Sequence, residues 1–196
     1  MSTVPLDFYQ FLMLNTIPIE DLIQIEKTFQ DSLQNFWREH NLYTWKWWLL
    51  VILSISSPIV WWMFTDNQRI TEVTAYGLFY AVSAITLDSI GSNALAWVYP
   101  VRLTPYLNPQ LYPYDVGIVI IPFMLIYQRW GGEFKDFFLI SGLQSAFLAF
   151  LAERFMEFFN IYQEITWKNI YSFPIYWLLA IICWFIITRF KKIERR

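Results

Sequence analysis

The stretch Trp45-Lys46-Trp47-Trp48, an apolar run and then Trp61-Trp62 constrain this chain more than any other feature. No charge falls between Leu49 and Val60. At 1.5 Å per helical residue, Trp45 to Trp62 covers roughly 26 Å, close to the thickness of a bilayer's hydrocarbon core. Indole rings favour the headgroup level, with the ring inward and the N–H toward water. Tryptophans at both ends of one helix-length run therefore read as two interface belts. The competing reading is a buried helix in a large soluble core, and four further segments of similar kind argue against it.

Composition points the same way. Of 196 residues, 57% are hydrophobic and only 15% charged, against about a quarter charged in a soluble domain. Polar surface is too scarce to cover a globule, so lipid takes part of it. The net charge of −2 gives no basis for a broad nucleic-acid surface. One cysteine, Cys183, and one histidine, His40, supply neither an intrachain disulfide nor a zinc site. No metal or other cofactor is expected. Met1 to Asp7 holds no lysine or arginine, so a cleaved signal peptide is not expected.

The fold class read from these features is an all-α polytopic membrane protein with five transmembrane helices and an amphipathic N-terminal helix. Residues 1–44 form the polar, interfacial N-terminal segment. Within it Ile19, Leu22, Ile23, Phe29, Leu33, Phe36 and Trp37 recur at helical spacing, with acids on the other faces. Pro18 suits the start of that helix, which the pattern places over 18–40, lying on the membrane or leading into the first span. The run Pro5 to Leu14 is a second interfacial candidate. Residues 45–190 form the bundle, with spans near 46–65, 74–98, 115–130, 134–160 and 171–190. Residues 191–196 are a basic tail. Pro58 and Pro122 mark bends within spans, and Gly131-Gly132 a tight turn. Four prolines between Tyr99 and Pro113 predict a stiff, extended surface loop.

Lysine and arginine counts give the orientation. With the tail in the cytoplasm, five spans put the N-terminus outside. The inner segments then hold eight basic residues and the outer ones five. The expected location is a plasma membrane.

An ionised group in hydrocarbon is costly, so intramembrane acids face a protein interior or a wet cavity. Asp88 lies on the stripe Ala84, Asp88, Ser92, Ala96. Glu153 and Glu157 end the stripe Ser141, Ser145, Ala149 on the fourth span, beside Arg154. Small residues at four-residue spacing let helices approach, which predicts contact between spans two and four. The topology puts Asp88, Asp115, Glu153, Arg154 and Glu157 in one outer layer, with Asn93 and Tyr171 as hydrogen-bonding partners. Two readings stay open for them. They form a pocket open to the outer side, or Arg154 pairs with Asp88 or Glu157 as an interhelical staple and Asp115 serves as a helix N-cap. Trp177 and Trp184 read as belt or lipid-facing residues, Cys183 as packing and His40 as solvated.

The run Trp47-Trp48 to Trp61-Trp62, Asp88 before Gly91, Tyr99-Pro100, Tyr112-Pro113-Tyr114-Asp115, Leu125-Ile126-Tyr127-Gln128 and Ile170 to Tyr176 resemble a family of small polytopic membrane proteins of Gram-positive spore-forming bacteria. The likeness covers residues 40–190. It implies a bacterial plasma-membrane protein and carries no activity. The order Asp88, Trp97, Pro113, Asp115 also resembles membrane-embedded carotenoid cyclase domains. Those have two adjacent acids after the proline, where this chain has Tyr114 and then Asp115.

Three functions remain open. The first is an accessory or structural membrane component whose partners are the bilayer and another membrane protein or a second copy. The second is binding or transport of a cation or small amphiphile through the outer pocket. The third is an enzyme acting on a lipid or isoprenoid, with Asp88 or Glu153 as general acid. A water-filled cavity at Asp88 favours transport, a closed apolar slot ending in one acid favours the enzyme, and no cavity favours the staple.

Overall fold

A computed structural model describes residues 17–107 and 111–194. The candidate segment Pro5 to Leu14, Pro109 and the last two arginines lie outside the described residues. Helix α1 runs Ile19–His40 with Glu20 and Asp21 in its first turn, where carboxylates meet the positive end of the helix dipole. It buries no residue, and Ile19, Leu22, Ile25 and Phe29 on its apolar arc are exposed. Its C-terminal end is tied down. Asn41 is buried, and its side chain donates to the Pro100 carbonyl and accepts from the Arg102 N–H.

Thr44 starts the next helix, its hydroxyl accepting the Trp47 N–H. This helix, α2, spans Trp45–Phe64 and continues through Pro58. Only Leu50 is buried, while Ile52, Ile55, Ile59 and Met63 are exposed, as befits an apolar helix at a bundle's edge. Helix α3 spans Ile70–Asn93, α5 Phe134–Phe158 and α6 Asn169–Glu194. A π-helical stretch, Leu148–Ala152, interrupts α5. Together α2, α3, α5 and α6 are four helices long and apolar enough to cross a membrane, which marks the chain as an all-helical membrane protein.

The third predicted span is built differently. It opens with the stretch Leu111–Val119, which is kinked at Tyr112, where the backbone is extended (φ −125°, ψ 131°), and makes wide π-type turns beyond the kink; it continues as the eleven-residue helix α4, Ile120–Trp130. The wide turns end at Val119, three residues before Pro122, whose ring nitrogen has no proton to donate. Neither piece alone has membrane-crossing length. This segment is nonetheless the centre of the bundle. Ile120, Phe123, Met124 and Tyr127 are buried against Tyr76 and Tyr80 of α3 and Phe137 of α5. Gly77 makes room for Met124, which occupies the space a Cβ would take.

Three expectations are corrected by the packing. Spans two and four are not packed side by side. α3 lies against α4 and α6, and α5 against the same two, so α3 and α5 meet chiefly through the rings of Tyr76 and Phe137, 6.1 Å apart. The small residues of α5 serve α6 instead: Gly142 lies against the Trp177 ring, and Trp177 donates to the Phe138 carbonyl at 2.9 Å. Trp184 is not lipid-facing; it is 8% exposed, packs on Phe134 and Phe137, and donates to the Gly131 carbonyl. The proline-rich loop is not a surface loop throughout. Tyr99 and Val101 are buried with Leu50, Tyr114, Ile161 and Tyr162, because aromatic bulk in the loop has a second small core to join. Trp37 and Trp47 donate to the carbonyls of Arg102 and Leu103 and pin the loop to the α1–α2 corner.

The ion-pair staple lies at the other end of the bundle. The Glu72 carboxylate on α3 receives Arg69 at 2.8 Å, Lys191 of α6 at 2.8 Å and the Tyr127 hydroxyl of α4 at 2.7 Å. Arg69 also donates to the Gln128 carbonyl, and the Gln128 side chain ties the α2–α3 corner through Phe64 and Asp66. Four elements are thus joined around one acid.

Candidate functional site

α3 ends earlier than its apolar run suggests. The helix stops at Asn93, Leu95 takes a left-handed φ of 55°, and the Ala96 N–H returns to the Gly91 carbonyl. The reversal brings Trp97 back over the helix. Its indole N–H donates to Asp88 Oδ1 at 2.7 Å, with Trp97 level with Asp88 rather than several turns above it. Trp97-Val98 then pairs antiparallel with Gln163-Glu164 from the α5–α6 loop. The Ala96 carbonyl accepts the N–H groups of Ile165, Thr166 and Trp167. Trp97 and Trp167 meet edge to face at 5.2 Å. In this cap, burial with Glu157 nearby raises the Glu164 carboxyl above the usual carboxylate range.

Below the cap lies a cavity of about 110 Å³. That is the same order as the roughly 150 Å³ apolar cavity known to take up benzene. Asp88 from α3, Asp115 from the π-helical stretch and Glu153 from α5 all line it. Tyr99, Tyr114, Tyr162, Tyr176, Trp97 and Trp167 supply aromatic walls. Asp88 Oδ1 also accepts the Tyr99 hydroxyl at 2.8 Å. Glu153 accepts Tyr176 at 2.8 Å and the Asn169 side-chain amide at 3.0 Å, both from α6. Trp167 donates to Ser172. Asp88 Oδ2 and Asp115 Oδ2 are buried without a hydrogen-bond partner. No lysine, arginine or histidine is among the described residues lining the cavity.

Of the residues marked on the sequence, Asp88, Asp115 and Glu153 come together here. The other four do not line the cavity. Arg154 turns outward and pairs with Glu157 one turn along the same helix at 2.9 Å, so it staples no second helix. Asn93 is exposed and donates to the Ser89 carbonyl. Tyr171 is about half exposed, its ring against Trp167. Asp115 is not itself the N-cap: it lies in the first turn after the kink at the extended Tyr112. The sequence reading did not single out Tyr99, Asn169 or Tyr176. Asn169, Ser172 and Tyr176 recur at i, i+3 and i+7, one polar face in an otherwise apolar helix, and that spacing is the signal that finds them.

Three carboxyl groups in an aromatic pocket carry no basic partner, and two of their oxygens are unclaimed. Tyrosine and tryptophan faces add cation–π attraction. Among the described residues no three acids, histidines or cysteines are placed to hold one metal ion. Comparison with protein-family models, curated proteins and solved structures gives no match to this chain. The two likenesses drawn from the sequence therefore rest on their residues alone.

Gly91 tests the local build. A Cβ there would lie only 2.0 Å from Cη2 of the Trp97 ring. Gly91→Ala is expected to push the indole off Asp88 and loosen the cap, with little effect on the core around Tyr76. Hydrogen exchange should then rise at the Ala96 to Val98 and Ile165 to Trp167 amides and stay unchanged at α4.

Proposed function

We propose that this chain is a five-crossing membrane protein that binds a ligand with a compact cationic head in the cavity between Asp88, Asp115 and Glu153. The observation that carries the reading is the three-acid pocket without a basic partner, in which Asp88 Oδ2 and Asp115 Oδ2 are buried and unpartnered. A buried acid left this way is costly, and a bound ammonium group offsets that cost. The staple role belongs to Glu72, where the basic residues are.

The fifth crossing is the segment Leu111 to Trp130. Its Tyr127 reaches Glu72 near the start of α3, and its Asp115 shares the cavity with Asp88 near the end. Glu72 to Asp88 is about 24 Å of helix, so the segment runs beside α3 across most of a bilayer's apolar depth. The basic C-terminal end, with Arg69 and Lys191 near the Glu72 cluster, then belongs in the cytoplasm. The cavity opens in the outer half of a bacterial plasma membrane, and α1 lies along the outer surface.

The test is binding by the full chain in phosphatidylcholine nanodiscs. Benzylammonium is expected to bind saturably, and benzyl alcohol and benzenesulfonate at least tenfold more weakly. Equal binding of the ammonium and the alcohol would contradict the proposal.

A further inference from the structure

Leu87 lines the cavity and is also 41% exposed on the outer face of α3. That double position makes Leu87 a thin part of the cavity wall, one side chain deep. Deeper in the bundle α3 and α6 are clamped together, Tyr80 donating to the Tyr176 carbonyl at 3.2 Å and Tyr76 to the Ala180 carbonyl at 3.4 Å. Above the cavity the same two helices are bridged by Trp97 and Trp167 of the cap. Between clamp and cap, Leu87 of α3 and Ile175 of α6 both line the cavity. The rims outside this gap are apolar: Ile90 and Leu178 are 63% and 55% exposed. A gap rimmed by such residues in a membrane-length helix pair opens to acyl chains rather than to water.

We infer that the ligand is a long-chain amine or alkylammonium amphiphile that enters sideways from the bilayer between α3 and α6, leaving its chain in lipid against Leu87 and Ile175. This rests on the cation-binding reading above and adds the chain and the route. The cavity's volume fits a head of benzene size but not an acyl chain. A ligand carrying both charge and a tail must therefore leave the tail outside. Leu87 is the most exposed of the described residues that line the cavity, which places the exit beside it.

The experiment compares tritiated butylammonium and tritiated dodecylammonium on the full chain in phosphatidylcholine nanodiscs, with Leu87→Trp and Ile175→Trp beside the unaltered protein. Both substitutions put bulk in the gap. Each is expected to lower dodecylammonium affinity at least tenfold more than butylammonium affinity, and to slow dodecylammonium association. If both probes bind the unaltered chain and neither substitution changes their ratio, the lateral route is overturned and the cation site stands. A fall in both affinities by the same factor also overturns the route. If neither probe binds saturably, the cation-binding reading itself fails.

Discussion

Asp88→Asn is expected to lower the affinity for an ammonium probe about 30- to 150-fold, the loss of one charge-assisted contact of about 2–3 kcal/mol, and to leave thermal stability close to unchanged. The asymmetry follows from the contacts. Trp97 and Tyr99 both donate to Asp88 Oδ1, and an asparagine carbonyl still accepts both, as neutral hydrogen bonds. The negative charge disappears, and the unpartnered second oxygen gives way to an amide NH2 that can donate to the neighbouring Asp115 side of the cavity. A group kept for binding costs the fold something, and its removal returns that cost. Isothermal titration with benzylammonium, alongside thermal unfolding of the same preparation, reads both effects. A loss of stability equal to the loss of binding would mean that Asp88 is there to hold the bundle together.

Glu72→Ala is expected to do the opposite, lowering stability by about 2–3 kcal/mol with ammonium affinity nearly unchanged. Arg69, Lys191 and Tyr127 all lose their acceptor at once, and hydrogen bonds to a charged group are worth more than neutral ones. The figure is held below that of a fully buried pair because Arg69 and Lys191 keep about a third of their side-chain surface exposed. Equilibrium unfolding in a fixed detergent should show the change, and pairing Glu72→Ala with Lys191→Met should recover part of it. A variant with unaltered stability would remove Glu72 from the role of staple.

The acids of the site were legible because charge in an apolar run has so few affordable places. Asp88 and Glu153 stood out on that ground, Asp115 only by its place at the opening of the third span, and Asn93, Arg154, Glu157 and Tyr171 were marked with them but do not line the cavity. Their partners were hidden for a geometric reason. Trp97 reaches Asp88 only because the helix stops at Asn93 and Leu95 turns left-handed without a glycine to mark it. Nothing in the apolar run from Ala94 to Val98 announces that reversal. Tyr176 and Asn169 were readable from their spacing but sit among aromatic residues that look like membrane-belt material. Glu72 was overlooked because acids near a helix start are ordinary, and its partners Lys191 and Tyr127 are distant in sequence. The long helices followed directly from apolar run length. The central segment was read as a short span near 115–130, but its kinked opening was not, since nothing in Leu111 to Tyr114 announces the extended backbone at Tyr112.

The most direct measurement of the cation site is a crystal or electron-microscopy structure of the full chain with a bromine-bearing benzylammonium bound. The account predicts ligand density beneath Trp97 and Trp167, with the ammonium nitrogen within hydrogen-bonding distance of Asp88 or Asp115. Density at the Glu72 end or on the outer face of α1, with the cavity empty, would contradict it.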